Sequence, residues 1–194
     1  MGNAVGSTPV PSPDGLPGNV VAVVSAVPPS LGRITEAEFR EALVEQSAAA
    51  GRSVVPKPGG KGYERLEKVA FEERLDAVWI KGQAMEMGIA VTPRQVLREL
   101  ARIKQRSFEN EAEYHRFLRA SRYTQRDVDE RIELQLLSTR IQARIFRGKS
   151  GIRQLEEFVA AYSERWRART VCAPDYVTDR CSNGPPPVDS VDPD

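Results

Sequence analysis

The sequence predicts an all-α domain of about six helices, with one short N-terminal strand and disordered termini. Three observations carry that prediction. Three helix starts share one capping construction. The apolar residues of the longer segments recur at close to 3.6 residues. Only one run, Val20-Val21-Ala22-Val23-Val24, has the β-branched density of a strand.

Taken in order, residues 1–18 hold Pro9, Pro11, Pro13 and Pro17 with almost no large apolar side chain, the composition of a flexible leader. The strand follows and ends at Pro28-Pro29; a lone strand must pack on helices or pair with another element. The first helix spans 35–50, with Thr35 as N-cap, Glu38 at N3 and Phe39, Ala42 and Leu43 inward. Residues 51–61 form a loop. A long helix over 62–87 carries the stripe Phe71, Leu75, Val78, Trp79 and Met85, and Gly88 stops it.

The next helix, 92–105, starts at Thr92 with Pro93 at N1 and Gln95 at N3, and turns Val96, Leu100 and Ile103 inward. Another covers 110–120 with Tyr114, Phe117 and Leu118. The helix over 124–146 begins at Thr124 with Asp127 at N3. Asp is shorter than Glu or Gln, so this third box is the weakest. It carries two apolar stripes, Val128-Ile132-Leu136-Ala143 and Leu134-Leu137-Ile141-Ile145. Two stripes require two packing partners, so this helix is central. After a break at Gly148–Gly151, a last helix over 153–168 presents Leu155, Phe158, Val159, Tyr162 and Trp166. The first and last helices are expected to pack near the two long ones.

The order of these pieces resembles the N-terminal chaperone domain of SurA-type and PrsA-type foldases. A strand of the type "VAxVNG" precedes "xIT" and a helix; here Val21-Ala22-Val23-Val24 precedes Ile34-Thr35-Glu36-Ala37-Glu38-Phe39. A "GIxVT" turn ends the long helix as Gly88-Ile89-Ala90-Val91-Thr92, and a "sgyT..dl" start is matched by Ser121-Arg122-Tyr123-Thr124-Gln125-Arg126-Asp127-Val128. The resemblance spans about residues 20–146 and implies a SurA N-like helical bundle over 19–168. It leaves a leader at 1–18 and a cysteine-containing irregular tail at 169–194. It also implies that the C-terminal helix returns to complete the N-terminal domain. The closing stretch from Trp166 through Cys181 is similar to the tail of envelope proteins of this group from high-GC Gram-positive relatives.

The resemblance has two departures. The compact turn after the strand is replaced by residues 25–33. A parvulin isomerase domain, which needs ~90–100 residues, would have to fit between the last two helices, where only Arg147 to Gln154 lie. The chain also has one histidine, so the paired histidines of a parvulin site are absent. The expected function is therefore a peptide-binding chaperone, a holdase for unfolded or exported polypeptides without intrinsic catalysis. The alternatives are a peptidyl-prolyl isomerase-family protein, a partner-specific envelope protein and a DNA-binding helical protein.

Composition narrows the classes further. The net charge is +1, but residues 93–153 hold 15 Lys and Arg against 8 Asp and Glu. Within them Arg94, Arg98, Arg102, Lys104 and Arg106 recur along and just beyond one short helix. They suit a solvated face or a surface for anionic clients better than a DNA interface, because their neighbours are a long helix and a loop rather than a helix-turn-helix. No stretch approaches the ~20 apolar residues of a membrane span, and no signal peptide is visible in this sequence.

No nucleotide-binding glycine loop, metal cluster or other cofactor motif is present. His115 lacks a signalled partner and suits a surface or half-buried structural role. Glu72, Glu73 and Asp76, with Arg74 and Lys81, suit a solvated charged helix face. Cys172 and Cys181 are close enough for a local disulfide, which would imply an oxidising, extracytoplasmic compartment; two free thiols are the alternative. As peptide-groove residues the sequence offers Trp79, Met85, Met87, Tyr114, Phe117 and Trp166. Met and aromatic side chains make adaptable apolar surfaces, and core burial is the competing role for each.

Overall fold

A computed structural model describes residues 12–146 and 152–186. Most of the expected leader, the glycine-bearing break at 148–151 and the end of the tail from 187 lie outside the described residues. Those described are mostly helical, with seven helices and a three-stranded sheet. They divide into two compact units: residues 1–39 with 151–194, and residues 40–150. The C-terminal residues share the first unit with the N-terminal strand. The division falls inside one helix.

The first unit is organised by strand β1, Val20–Val24. It finds the partners that a lone strand lacks. Helix α1, Pro29–Gly32, leads into β2, Arg33–Thr35, which pairs antiparallel on one side of β1; β3, Thr170–Cys172, pairs antiparallel on the other. Ala22 faces both Ile34 and Cys172. Paired on both sides, the strand buries residues of both faces, Val20, Val21, Ala22 and Val24. The stretch expected to be irregular from 169 therefore supplies an edge strand.

That edge is closed. The Asn183 side chain accepts from the Cys172 N–H at 3.1 Å and donates to the Cys172 carbonyl at 2.9 Å, while the Ser182 N–H donates to the Thr170 carbonyl at 2.7 Å. A side-chain amide thus stands in for another strand and satisfies groups that would otherwise invite pairing. Cys172 and Cys181 form a disulfide, and both are buried. Arg167 fastens the same loop, donating to the carbonyls of Asp179, Gly184 and Pro185. Gly184 is required there by close approach: a Cβ would overlap the Thr178 carbonyl oxygen.

Helix α7, Ile152–Ala168, belongs to this unit and contacts β3. Among the described side chains of α7, Trp166 is buried, 0% exposed, with the Arg169 guanidinium 4.9 Å from the ring centroid. Leu155, Phe158 and Tyr162 are half-buried and Val159 is exposed, so only part of the expected stripe is core. Thr35 closes β2 and caps helix α2, Glu36–Ala49. The Glu38 N–H donates to Thr35 Oγ1, and the Thr35 N–H donates to Glu38 Oε2. Phe39 is buried edge-on to Tyr176 at 5.1 Å.

The second unit holds the remainder of α2 from Arg40, then α3 (Tyr63–Glu86), α4 (Pro93–Ser107), α5 (Glu111–Ser121) and α6 (Gln125–Ile145). Helix α6 packs on both α3 and α4, which is the reason it carries two apolar stripes. Val96, Leu100, Tyr114 and Ile132 form a buried cluster, flanked by Val91, Ile103, Phe108, Leu118, Val128 and Leu136. Along α3 the core residues include Leu66, Phe71, Leu75, Val78 and Trp79. Met85, expected on the same stripe, is instead 54% exposed in the last turn.

The helix ends are chemically specified. At the end of α3, the Ile89 N–H donates to the Ala84 carbonyl and the Gly88 N–H to the Met85 carbonyl, with Gly88 at φ +64°. This paired bonding fixes the exit of the chain, and glycine is the residue that adopts it without a Cβ penalty. At α4 the Gln95 side chain accepts from the Thr92 N–H at 2.9 Å. At α6 the Thr124 N–H donates to Asp127 at 2.6 Å and the Asp127 N–H to Thr124 at 3.3 Å, so the short Asp still completes both arms of the box. Asn110 caps α5 by accepting from the Glu113 N–H.

Candidate functional site

Of the six residues expected to line a groove, three are buried. Trp79 and Tyr114 are buried in the helical unit, and Trp166 is buried in the sheet unit. Each fills core where an open groove would need accessible area. Tyr114 also satisfies its hydroxyl by donating to Gln125 at 2.9 Å, and its ring meets Phe108 and the Lys104 ammonium. Met85 is open to solvent, Met87 is half-buried and Phe117 is 39% exposed. These three keep the character of adaptable contact residues. His115 is exposed, 3.8 Å from Glu111 and tilted against Tyr114.

A different surface is assembled where the turn after α3 meets the C-terminal half of α6. Ile89, Ala90, Arg140, Ala143 and Arg144 line an open cavity of about 350 Å³. Its position follows from the packing described above. The specified exit of α3 at Gly88 carries Ile89 and Ala90 across α6, and the i, i+4 spacing on α6 sets Arg140 and Arg144 on one face. Arg140 Nη1 donates to the Ala90 carbonyl, which holds one wall. Arg144 has no ion pair among the described residues. Four residues beyond Ala90, α4 carries Arg94, Leu97, Arg98, Ala101, Arg102 and Arg106, all exposed. Leu97 is 58% exposed. Arg102 pairs with Glu99 at 2.5 Å, whereas Arg94 and Arg98 have no ion pair among the described residues.

A second cluster lies among α2, α3 and α6. Buried Glu45 accepts from Arg131 at 2.9 Å and lies 3.7 Å from Arg74. Arg131 also meets Glu73 at 2.6 Å and sits over the Tyr123 ring, while Arg74 and Lys81 meet Glu130 at 3.7 and 2.5 Å. Burial pushes the Glu45 carboxyl up, against the opposing pull of Arg131 and Arg74. Burial also opposes ionisation of Glu130. There the hydrogen bond and charge of Lys81, with Arg74, outweigh it and hold the carboxyl below its usual range. Each cation faces a carboxylate, and the cluster offers no free nucleophile beside a base. Chemically it is a clamp between three helices. Glu73, Arg74 and Lys81, expected on a solvated face, belong to it.

Sequence reasoning missed Arg140, Arg144 and Leu97 as surface residues. The basic excess over 93–153 pointed to the region, but only the helix packing selects which residues share a face. Among the described residues there is no group of His, Cys, Asp and Glu suited to a metal ion, and no helix is long and apolar enough to cross a membrane. No protein-family model, curated protein or solved structure matches this sequence.

Proposed function

We propose that this chain is a non-catalytic polypeptide-binding module, a holdase of the SurA and PrsA N-terminal type, acting on unfolded or exported chains. The observation that carries the reading is the return of the C-terminal segment to the N-terminal strand. In the resembling domains a C-terminal helix completes the N-terminal domain; here α7 and β3 share a unit with β1, and β3 pairs with it directly. The ordered caps at Thr35, Thr92 and Thr124 and the Gly88 turn add support, because each sits where the resemblance places it. Helix α6 ends at Ile145 and α7 begins at Ile152, a connection far shorter than the ~90–100 residues of a catalytic insert.

The mechanism is reversible burial of client apolar side chains against exposed apolar groups of the helical unit, such as Met85, Leu97 and Phe117. Each Å² removed from water contributes ~25 cal/mol gross, before the cost of ordering the client. Neither ATP nor a covalent step enters. The Cys172–Cys181 disulfide supports an extracytoplasmic, oxidising location. The test is light scattering from several unrelated unfolded clients with and without the protein, alongside a proline-peptide isomerisation assay. The reading expects slowed aggregation of most clients and background isomerisation. Aggregation of every client at the unassisted rate would refute it.

A further inference from the structure

We infer that the cavity formed by Ile89, Ala90, Arg140, Ala143 and Arg144 is a binding site for a single carboxylate carried on a compact apolar body. The inference goes beyond the polypeptide-binding reading and stands without it. The helical unit holds its cations in two different states. In the clamp among α2, α3 and α6, Arg74, Lys81 and Arg131 each meet a carboxylate. At the cavity neither Arg140 nor Arg144 meets one among the described residues. Glu133, the last acidic residue of α6, is taken up by Lys81 at 3.6 Å. No carboxylate among the described residues lines the cavity.

Like charges at i, i+4 on a helix repel, and an anion held between them relieves the repulsion. Positions four apart are surface neighbours, ~5–6 Å between Cβ atoms, close enough for both guanidiniums to converge on one carboxylate. The negative end of the α6 dipole, ~0.5 of a charge, opposes the ligand but is outweighed by two full positive charges. Arg140 is held in place: its Nη1 donates to the Ala90 carbonyl, and its other N–H groups have no protein acceptor among the described residues. A carboxylate therefore binds there without breaking an ion pair, and guanidinium forks match its geometry. The remaining walls select the body of the ligand. Ile89, Ala90 and Ala143 present apolar side chains. A volume of about 350 Å³ lies at the lower end of the ~300–1,000 Å³ of ligand pockets, so the body is small. Two sources carry this chemistry: a free short-chain carboxylic acid, and the C-terminal residue of a polypeptide that ends in an apolar side chain. In both, carboxylate and apolar group branch from one short stem and enter one concavity together.

The test is an NMR titration of isotope-labelled protein, followed through the backbone amides of Ile89, Ala90, Ala143 and Arg144. The probes are sodium hexanoate, hexanamide and inorganic phosphate at equal ionic strength. Hexanoate is expected to give saturable shifts centred on these amides, at a concentration at least about tenfold below that needed for hexanamide or phosphate. Arg144→Gln removes one cation, and Ala143→Trp fills the cavity from an exposed helix position. Each should weaken hexanoate binding at least about tenfold, whereas Arg98→Gln on α4 should leave it unchanged. An N-acetylated peptide ending in Leu, as free acid and as amide, separates the sources. Saturation by the peptide acid below hexanoate assigns the site to polypeptide ends; the reverse order assigns it to small free acids. Because the probe comparison uses the unaltered protein, a variant that fails to fold does not decide the matter. Equal response to hexanoate and hexanamide overturns the inference, as does phosphate that matches hexanoate, or no saturable shift from either acid. Shifts of equal size at Arg94 and Arg98 also overturn it, because they report contact with exposed arginines at large.

Discussion

The two units hold their chain in opposite ways. The sheet unit closes with bonds between residues far apart in sequence: β1 pairs with β3 across about 150 residues, a disulfide seals the adjoining loop, and Asn183 covers the edge. The helical unit relies on local caps, an apolar cluster and a lattice of charges among α2, α3 and α6. Reductant acts on the first, which holds the disulfide, while salt and pH act on the charge lattice of the second. The proposed client surface lies on the second, where apolar and cationic groups remain at the surface.

The two tryptophans, one in each unit, let the contrast be measured. The largest effect should come from Trp166→Ala. Removing a fully buried indole costs ~3–5 kcal/mol, and amide exchange should accelerate in β1 and β3 ahead of α4 and α6. Next comes Arg131→Ala, which leaves buried Glu45 with only the more distant Arg74. Discounted for the third of the Arg131 side chain that water reaches, the expected loss is ~2–3 kcal/mol in a urea titration followed by Trp79 fluorescence. Reduction of Cys172–Cys181 should cost ~2–3 kcal/mol by freeing the loop in the unfolded chain. It should shift Trp166 emission at lower denaturant while Trp79 emission keeps its midpoint.

Acid should separate the units again. The folded Glu130 carboxyl titrates below its unfolded value, so its contribution is present above the unfolded value and is lost as pH falls through the folded one. Glu45 has the opposite sign: its folded value is raised, so its penalty sets in as pH climbs from the unfolded value through the folded one. On acidification from neutral pH, the Trp79 urea midpoint should first rise slightly and then fall below about pH 4. Glu45→Gln should remove the rise and Glu130→Gln should blunt the fall. The smallest effect is expected at Arg122, which holds φ +62° at the end of α5. Arg122→Gly relieves a left-handed cost of ~1 kcal/mol but forfeits the contact with the Ser53 carbonyl. The net change in the thermal midpoint should be near zero.

What could be read from sequence follows the same division. The caps at Thr35, Thr92 and Thr124 were legible because a helix start is decided within four residues. The two stripes of α6 were legible because periodicity is local even when its partners are not. Strands β2 and β3 were not, since three residues such as Arg33-Ile34-Thr35 carry no periodic signal and become a strand only by pairing with β1. The charge clamp was invisible for the same reason: Glu45 and Arg131 are 86 residues apart. Among the groove candidates, residue type alone could not separate Trp166, sealed in a core, from Met85, left open at a helix end.

The most direct test places a photo-crosslinking residue at Leu97 in one protein and at Val159 in another, both exposed apolar positions, one in each unit. Each is mixed with an unfolded client and irradiated. Strong crosslinking at position 97 with little at 159 is the predicted result. Crosslinking at 159 that equals or exceeds that at 97 would contradict the assignment of client binding to the helical unit.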